Sequence, residues 1–134
     1  MKTILDNYSL FVENVTSNHS NNFEDFVQRL QELNNTGINI PLLITSAIGL
    51  GSETGEFQEI VKKILFQGKE LSEDNVYHMH RELSDICWYW VNGCRALNIN
   101  PNRIIEMNVE KLEARYPGGT FDVYYSENRK ENDI

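Results

Sequence analysis

Cysteine is scarce in this 134-residue chain, which holds only Cys87 and Cys94. Seven residues apart on one helix, they would stand about 10 Å apart along its axis, too far for a disulfide. They read as small buried apolar residues of a reducing compartment. Basic residues are outnumbered, with 12 Lys and Arg against 20 Asp and Glu and a net charge of -8. That sign excludes a nucleic-acid polymer as the main partner, because binding a phosphate backbone needs a basic surface. It does not exclude a single nucleotide held through metal ions. No apolar run approaches the ~18 residues of a membrane span. The N-terminus, Met1-Lys2-Thr3-Ile4-Leu5-Asp6, lacks the apolar stretch and cleavage site of a secretion signal. The Asn-x-Ser/Thr triplets at Asn7, Asn14, Asn18 and Asn34 are therefore chance occurrences in an Asn-rich sequence. The expectation is a soluble, cytoplasmic protein with no membrane partner.

Apolar residues at 40% and charged residues at 24% place the chain in the globular class. Its length suits one domain that buries roughly two-thirds of its unfolded surface. The periodicity is helical almost throughout. Ile4, Leu5, Tyr8, Phe11, Val12 and Val15 recur at three- and four-residue steps. Asn21 or Asn22 can cap a second helix carrying Phe23, Phe26, Val27, Leu30 and Leu33. Pro41, at a first helical position, opens a long pattern that stops near Gly68. Ser72 caps a helix whose first turn holds Glu73 and Asp74 and whose pattern reaches Leu97. Asn100-Pro101 opens the last helix, and Pro117-Gly118-Gly119 ends it. Thr120 to Tyr125 reads as extended. The result is an all-α bundle of about five helices in a single domain, residues 1–125, followed by a polar tail over 126–134.

Two acidic pairs stand where a core should be. Glu53 and Glu56 lie three residues apart on the long helix, and Glu82 and Asp85 three apart on the next. At that spacing the members of a pair share a helix face. On a wheel, Leu42, Ser46, Ile60 and Ile64 fall within about 20° of Glu53, which sits inside the apolar stripe, and Glu56 at its edge. Glu59 falls on the polar side, where Lys62 and Lys63 can pair with it. Tyr89 and Ile86 fall within about 40° of Glu82, and Asp85 lies about 60° away at the edge, near His78. Arg81 can pair with Asp85, whereas Glu82 has no lysine or arginine at helical spacing.

Four carboxylates facing inward repel one another and lose their hydration. Divalent cations are the simplest remedy, and an all-oxygen set suits Mg²⁺ or Mn²⁺. Zinc is disfavoured because no Cys/His set has the right spacing, and a di-iron centre because no Glu-x-x-His pair is present. The pattern thus assigns Glu53, Glu56, Glu82 and Asp85 as metal-ligand candidates. On the last helix, Asn108, Lys111 and Arg115 border the apolar face and can hold phosphate oxygens. Lys111 and Arg115 also suit a helix C-terminus, with Glu110 and Glu113 as incidental partners. Trp88 projects about 120° from Glu82, as a residue at a subunit interface would.

The segments Gly49-Leu50-Gly51-Ser52-Glu53-Thr54-Gly55-Glu56 and Arg81-Glu82-Leu83-Ser84-Asp85-Ile86-Cys87-Trp88-Tyr89 resemble the Glu-x-x-Glu and Glu-x-x-Asp motifs of the MazG-like, all-α nucleoside triphosphate pyrophosphohydrolases. Asn108-Val109-Glu110-Lys111-Leu112-Glu113-Ala114-Arg115-Tyr116-Pro117 resembles that family's closing segment, although Pro117-Gly118-Gly119-Thr120-Phe121 departs from its usual Pro-Asp-Gly-Phe ending. The resemblance implies Mg²⁺-dependent cleavage of a (d)NTP to the monophosphate and pyrophosphate. Glu53, Glu56, Glu82 and Asp85 would be the metal ligands, and Asn108, Lys111 and Arg115 the phosphate contacts. Glu56, at the stripe edge, is the favoured proton acceptor, with His78 a rival of more peripheral character. The resemblance further implies a homodimer or homotetramer that completes the fold. Two other readings remain. One is a superfamily member with a narrower substrate, such as dUTP, dCTP or phosphoribosyl-ATP; the other is a non-catalytic helical protein that binds nucleotide or metal.

Overall fold

The computed structural model describes residues 3–128. Seven helices follow one another: α1 (Ile4–Val15), α2 (Asn18–Asn21), α3 (Phe23–Asn34), α4 (Ile40–Phe66), α5 (Glu73–Ala96), α6 (Pro101–Arg115) and α7 (Val123–Glu127). No strand occurs among the described residues, as an all-α chain requires. None of these helices is long and apolar enough to cross a membrane. The count exceeds five because α2 and α7 are one-turn helices, too short for periodicity to reveal. The stretch expected to be extended instead turns into α7, because the Asp122 side chain accepts a hydrogen bond from the Tyr124 backbone N–H at 2.7 Å. A local cap outweighs the strand preference of Val123, Tyr124 and Tyr125. From position 129 onward the expected polar tail lies outside the described residues.

The chain divides into two compact units, one ending at Ile40 and the other beginning at Pro41. In the first, Thr3 and Asp6 form a reciprocal capping box at the start of α1. Asn22 caps α3 by accepting from the Asp25 N–H, and α2 packs on α3. The apolar stripe of α1 is exposed, from Ile4 through Phe11 to Val15.

In the second unit, Ser72 caps α5 and Asn100 caps α6, with Pro101 in its first turn. The short link from α4 to α5 makes them antiparallel neighbours. Ser46 is buried on α4, and its hydroxyl donates to the Tyr89 carbonyl oxygen at 2.8 Å. Gly49 lies under the Tyr89 ring, and a Cβ added at Gly93 would come 2.7 Å from Ser46 Oγ. Small residues thus let the two helices approach closely. At the far end of α5, Cys94 and Ala96 are buried and α6 packs back on α5. Asn98 takes a left-handed conformation, φ 57°, in the turn between them. Buried Asn92 is satisfied, donating to the Trp88 carbonyl and accepting from Arg95. Cys87 corrects the expectation of two buried thiols: it is exposed, because it projects well away from the face of α5 that meets α4.

Candidate metal centre

The Ser46–Tyr89 hydrogen bond sets the register of the site. Seven residues along α4 from Ser46 stands Glu53, and seven residues back along antiparallel α5 from Tyr89 stands Glu82. Two turns from the anchoring contact, the two carboxylates therefore meet. Asp85, one turn further along α5, joins them. One oxygen from each of Glu53, Glu82 and Asp85 lies within 4.8 Å of the other two. Glu53 and Glu82 are half-buried and Asp85 is exposed, matching their positions inside and at the edge of the apolar stripes.

Glu56 is exposed and stands outside this three-oxygen group. It is still close enough for its charge to act on Glu53. The carboxyl of Glu53 is pushed above the ordinary glutamate range, first by burial and then by the charges of Glu56, Asp85 and Glu82. A divalent cation held there would relieve the same repulsion. The donor set consists of oxygens only and fits a hard ion that keeps part of its water shell.

Asp85 does not form the pair with Arg81 that the sequence allows. Among the described residues Arg81 makes no ion pair, although its spacing from Asp85 permits one. One Asp85 oxygen instead lies within 4.8 Å of an oxygen of each of the two other carboxylates. By contrast, Glu59 is held as expected by Lys62 and by Lys63, the latter at 3.2 Å, and its carboxyl is correspondingly lowered.

The site is built by α4 and α5 alone. Asn108 and Lys111 are exposed on α6, and Arg115 is half-buried in its last turn. Glu110 is engaged by Arg103 through two hydrogen bonds, at 2.7 and 3.3 Å, a pairing across two helical turns that the sequence reading missed. The residues that depart from the family ending form a turn with Gly119 at φ 70°. That turn folds Phe121 back toward Tyr116, with ring centroids 5.8 Å apart, around an open cavity of about 550 Å³. Trp88 is 57% exposed, with its ring edge-on to Tyr89.

Comparison of the chain with models of known protein families, with curated proteins and with solved structures gives no match in any of the three.

Proposed function

We propose that this chain is a Mg²⁺-dependent nucleoside triphosphate pyrophosphohydrolase of the MazG-like kind, converting (d)NTP and water to (d)NMP and pyrophosphate. The observation that carries the reading is the convergence of Asp85 on the two glutamates. An aspartate with an arginine at i, i−4 spacing converges instead on Glu53 and Glu82, an arrangement favourable when a cation occupies the space between them. The sequence resemblance supplies the reaction, and the oxygen donor set suits Mg²⁺, with Mn²⁺ as a substitute.

In this reading Glu53, Glu82 and Asp85 hold the metal from inside, and Glu56 completes the set at its edge. The bound ion supplies positive charge that admits an anionic triphosphate to an otherwise repelling pocket. Glu56, exposed and only one turn from Glu53, takes a proton from the attacking water. The water oxygen bonds to the α-phosphorus, the bond from that phosphorus to the bridging oxygen breaks, and pyrophosphate leaves with the electron pair. Glu56 then returns its proton to solvent. Asn108, Lys111 and Arg115 contact phosphate oxygens, the lysine as a point charge and the arginine as a fork.

The same reading makes the chain a cytoplasmic homo-oligomer. Among the described residues few apolar side chains are buried, namely Ile40, Ile60, Cys94 and Ala96, whereas Leu65, Leu83 and Trp88 remain exposed on α4 and α5. A second copy would cover such a surface.

The test is turnover of the common NTPs and dNTPs with Mg²⁺, read by phosphate release through a coupled inorganic pyrophosphatase. Release that needs both Mg²⁺ and the coupling enzyme supports the proposal. A preference for one deoxynucleotide would narrow the substrate. Metal-dependent thermal stabilisation without turnover would replace the enzyme by a binding protein.

A further inference from the structure

Of the five arginines among the described residues, Arg29 bonds Glu32, Arg95 bonds Asn92, Arg103 bonds Glu106 and Glu110, and Arg115 is also engaged. The guanidinium of Arg81 alone has no partner among the described residues. It is exposed and stands one turn, about 6 Å along the axis, before Asp85 on α5. Its direction is as informative as its freedom. In an antiparallel pair facing each other at Glu53 and Glu82, Glu56 and Asp85 both lie about 60° to the same side, and Arg81 about 100° to that side. The opposite side carries Leu50 and Phe57 of α4 with Ile86 and Trp90 of α5. The acids therefore open toward solvent on the flank that holds Arg81 and are backed by apolar residues on the other.

We infer that Arg81 takes the terminal phosphate of the substrate and makes the site selective for nucleoside triphosphates over diphosphates. The inference rests on the pyrophosphohydrolase reading. A guanidinium beyond the rim of the carboxylates meets the part of the phosphate chain that extends past them, and its planar fork matches a terminal phosphate with two parallel N–H···O bonds. It is also available, since no ion pair must be broken to release it. Arg81 touches neither the reacting phosphorus nor the attacking water, so its effect falls on binding.

The experiment is calorimetric binding of α,β-methylene nucleoside tri- and diphosphates, with Mg²⁺ present, to the wild-type chain and to Arg81→Ala and Arg81→Lys. Mn²⁺ binding without nucleotide is the control for an intact acid cluster. The wild type binds the triphosphate more tightly than the diphosphate. Arg81→Ala weakens the triphosphate by about 10- to 100-fold, the scale of a charge-assisted hydrogen-bonded pair. It leaves the diphosphate within about twofold and Mn²⁺ unchanged. Arg81→Lys recovers part of the loss. Equal weakening of both analogues, or no weakening of either, overturns the inference while leaving the enzyme reading in place. A wild-type chain that binds Mn²⁺ but neither analogue removes both.

Discussion

Ser46 on α4 donates to the carbonyl oxygen of Tyr89 on α5 at 2.8 Å, and two turns away Glu53 and Glu82 meet. One hydrogen bond between a small buried side chain and a helix backbone thus locates the acids. Because α4 and α5 are antiparallel, a slip of one helical turn at Ser46 would carry Glu53 away from Glu82 by the same step. The small residues at this contact belong to the construction of the site, although none of them touches a ligand.

The two glycines Gly49 and Gly55 give a matched test of that contact. Both are helical, and alanine is favoured over glycine there by about 1 kcal/mol. At Gly55 an added Cβ meets nothing within 4 Å, so Gly55→Ala stabilises the chain by up to about that amount. At Gly49 it runs into the Tyr89 ring. Overpacking costs about 1–3 kcal/mol, which exceeds the propensity gain, and Gly49→Ala destabilises. Urea unfolding of the two variants reads opposite signs, and stabilisation by both would refute the close approach.

The acidic cluster also separates stability from function by pH. Glu53 is raised above its ordinary value of 4.5 in the folded chain, so its contribution is present below that value and is lost as pH climbs through the raised one. Asp6, Glu59 and Glu110 are lowered, so theirs is present above their ordinary values and is lost as pH falls below them. Metal-free thermal stability should therefore decline on the alkaline side of the glutamate range, and Glu53→Gln should remove that decline. Mn²⁺ affinity moves the other way, tightening as Glu53 gives up its proton. Melting curves and Mn²⁺ titrations across pH 4 to 7 check both signs. A wild-type and a Glu53→Gln chain with parallel profiles would contradict the assignment.

Glu53 and Glu56 differ in what their amides should do. Glu53→Gln removes a member of the three-oxygen group and weakens Mn²⁺ binding by more than the ~10- to 100-fold typical of an outer-shell change. Glu56→Gln keeps that group and lowers kcat by about 10²- to 10⁴-fold, the range of a lost general base. Its Mn²⁺ affinity changes far less than that of Glu53→Gln. Turnover by Glu56→Gln close to that of the wild type would transfer the proton to another acceptor.

Much of this is legible in the sequence, and the reason is local. Asn22, Ser72 and Asn100 each satisfy helix N–H groups through short side chains, so the starts of α3, α5 and α6 could be read from neighbouring residues. The wheel separated the half-buried Glu53 and Glu82 from the exposed Glu56 and Asp85, because burial of a helical residue follows its angle from the apolar stripe. The rest depends on residues distant in sequence. Asp85 had two sets of neighbours available, Arg81 on its own helix and the carboxylates around α4, and only the position of α4 decides between them. Cys87 looked like a buried thiol until the packing of α5 showed which of its faces is covered.

The exposed apolar flank of the α4–α5 pair leads to the last prediction. Leu83 is 49% exposed and Leu65 66% exposed, and Phe57 and Val61 with Leu65 line a further apolar groove on α4. A hydrophobic face of this kind, with so few buried apolar side chains among the described residues, calls for a partner surface, and a second copy supplies one that is self-complementary. Light scattering with size exclusion at micromolar concentration should show at least a dimer. Leu83→Glu places a charge in that face without touching the acids, so it should shift the chain toward monomer and lower its melting temperature while Mn²⁺ still binds. A wild-type chain that elutes as a clean monomer would refute the assembly, and the exposed leucines would then need another cover.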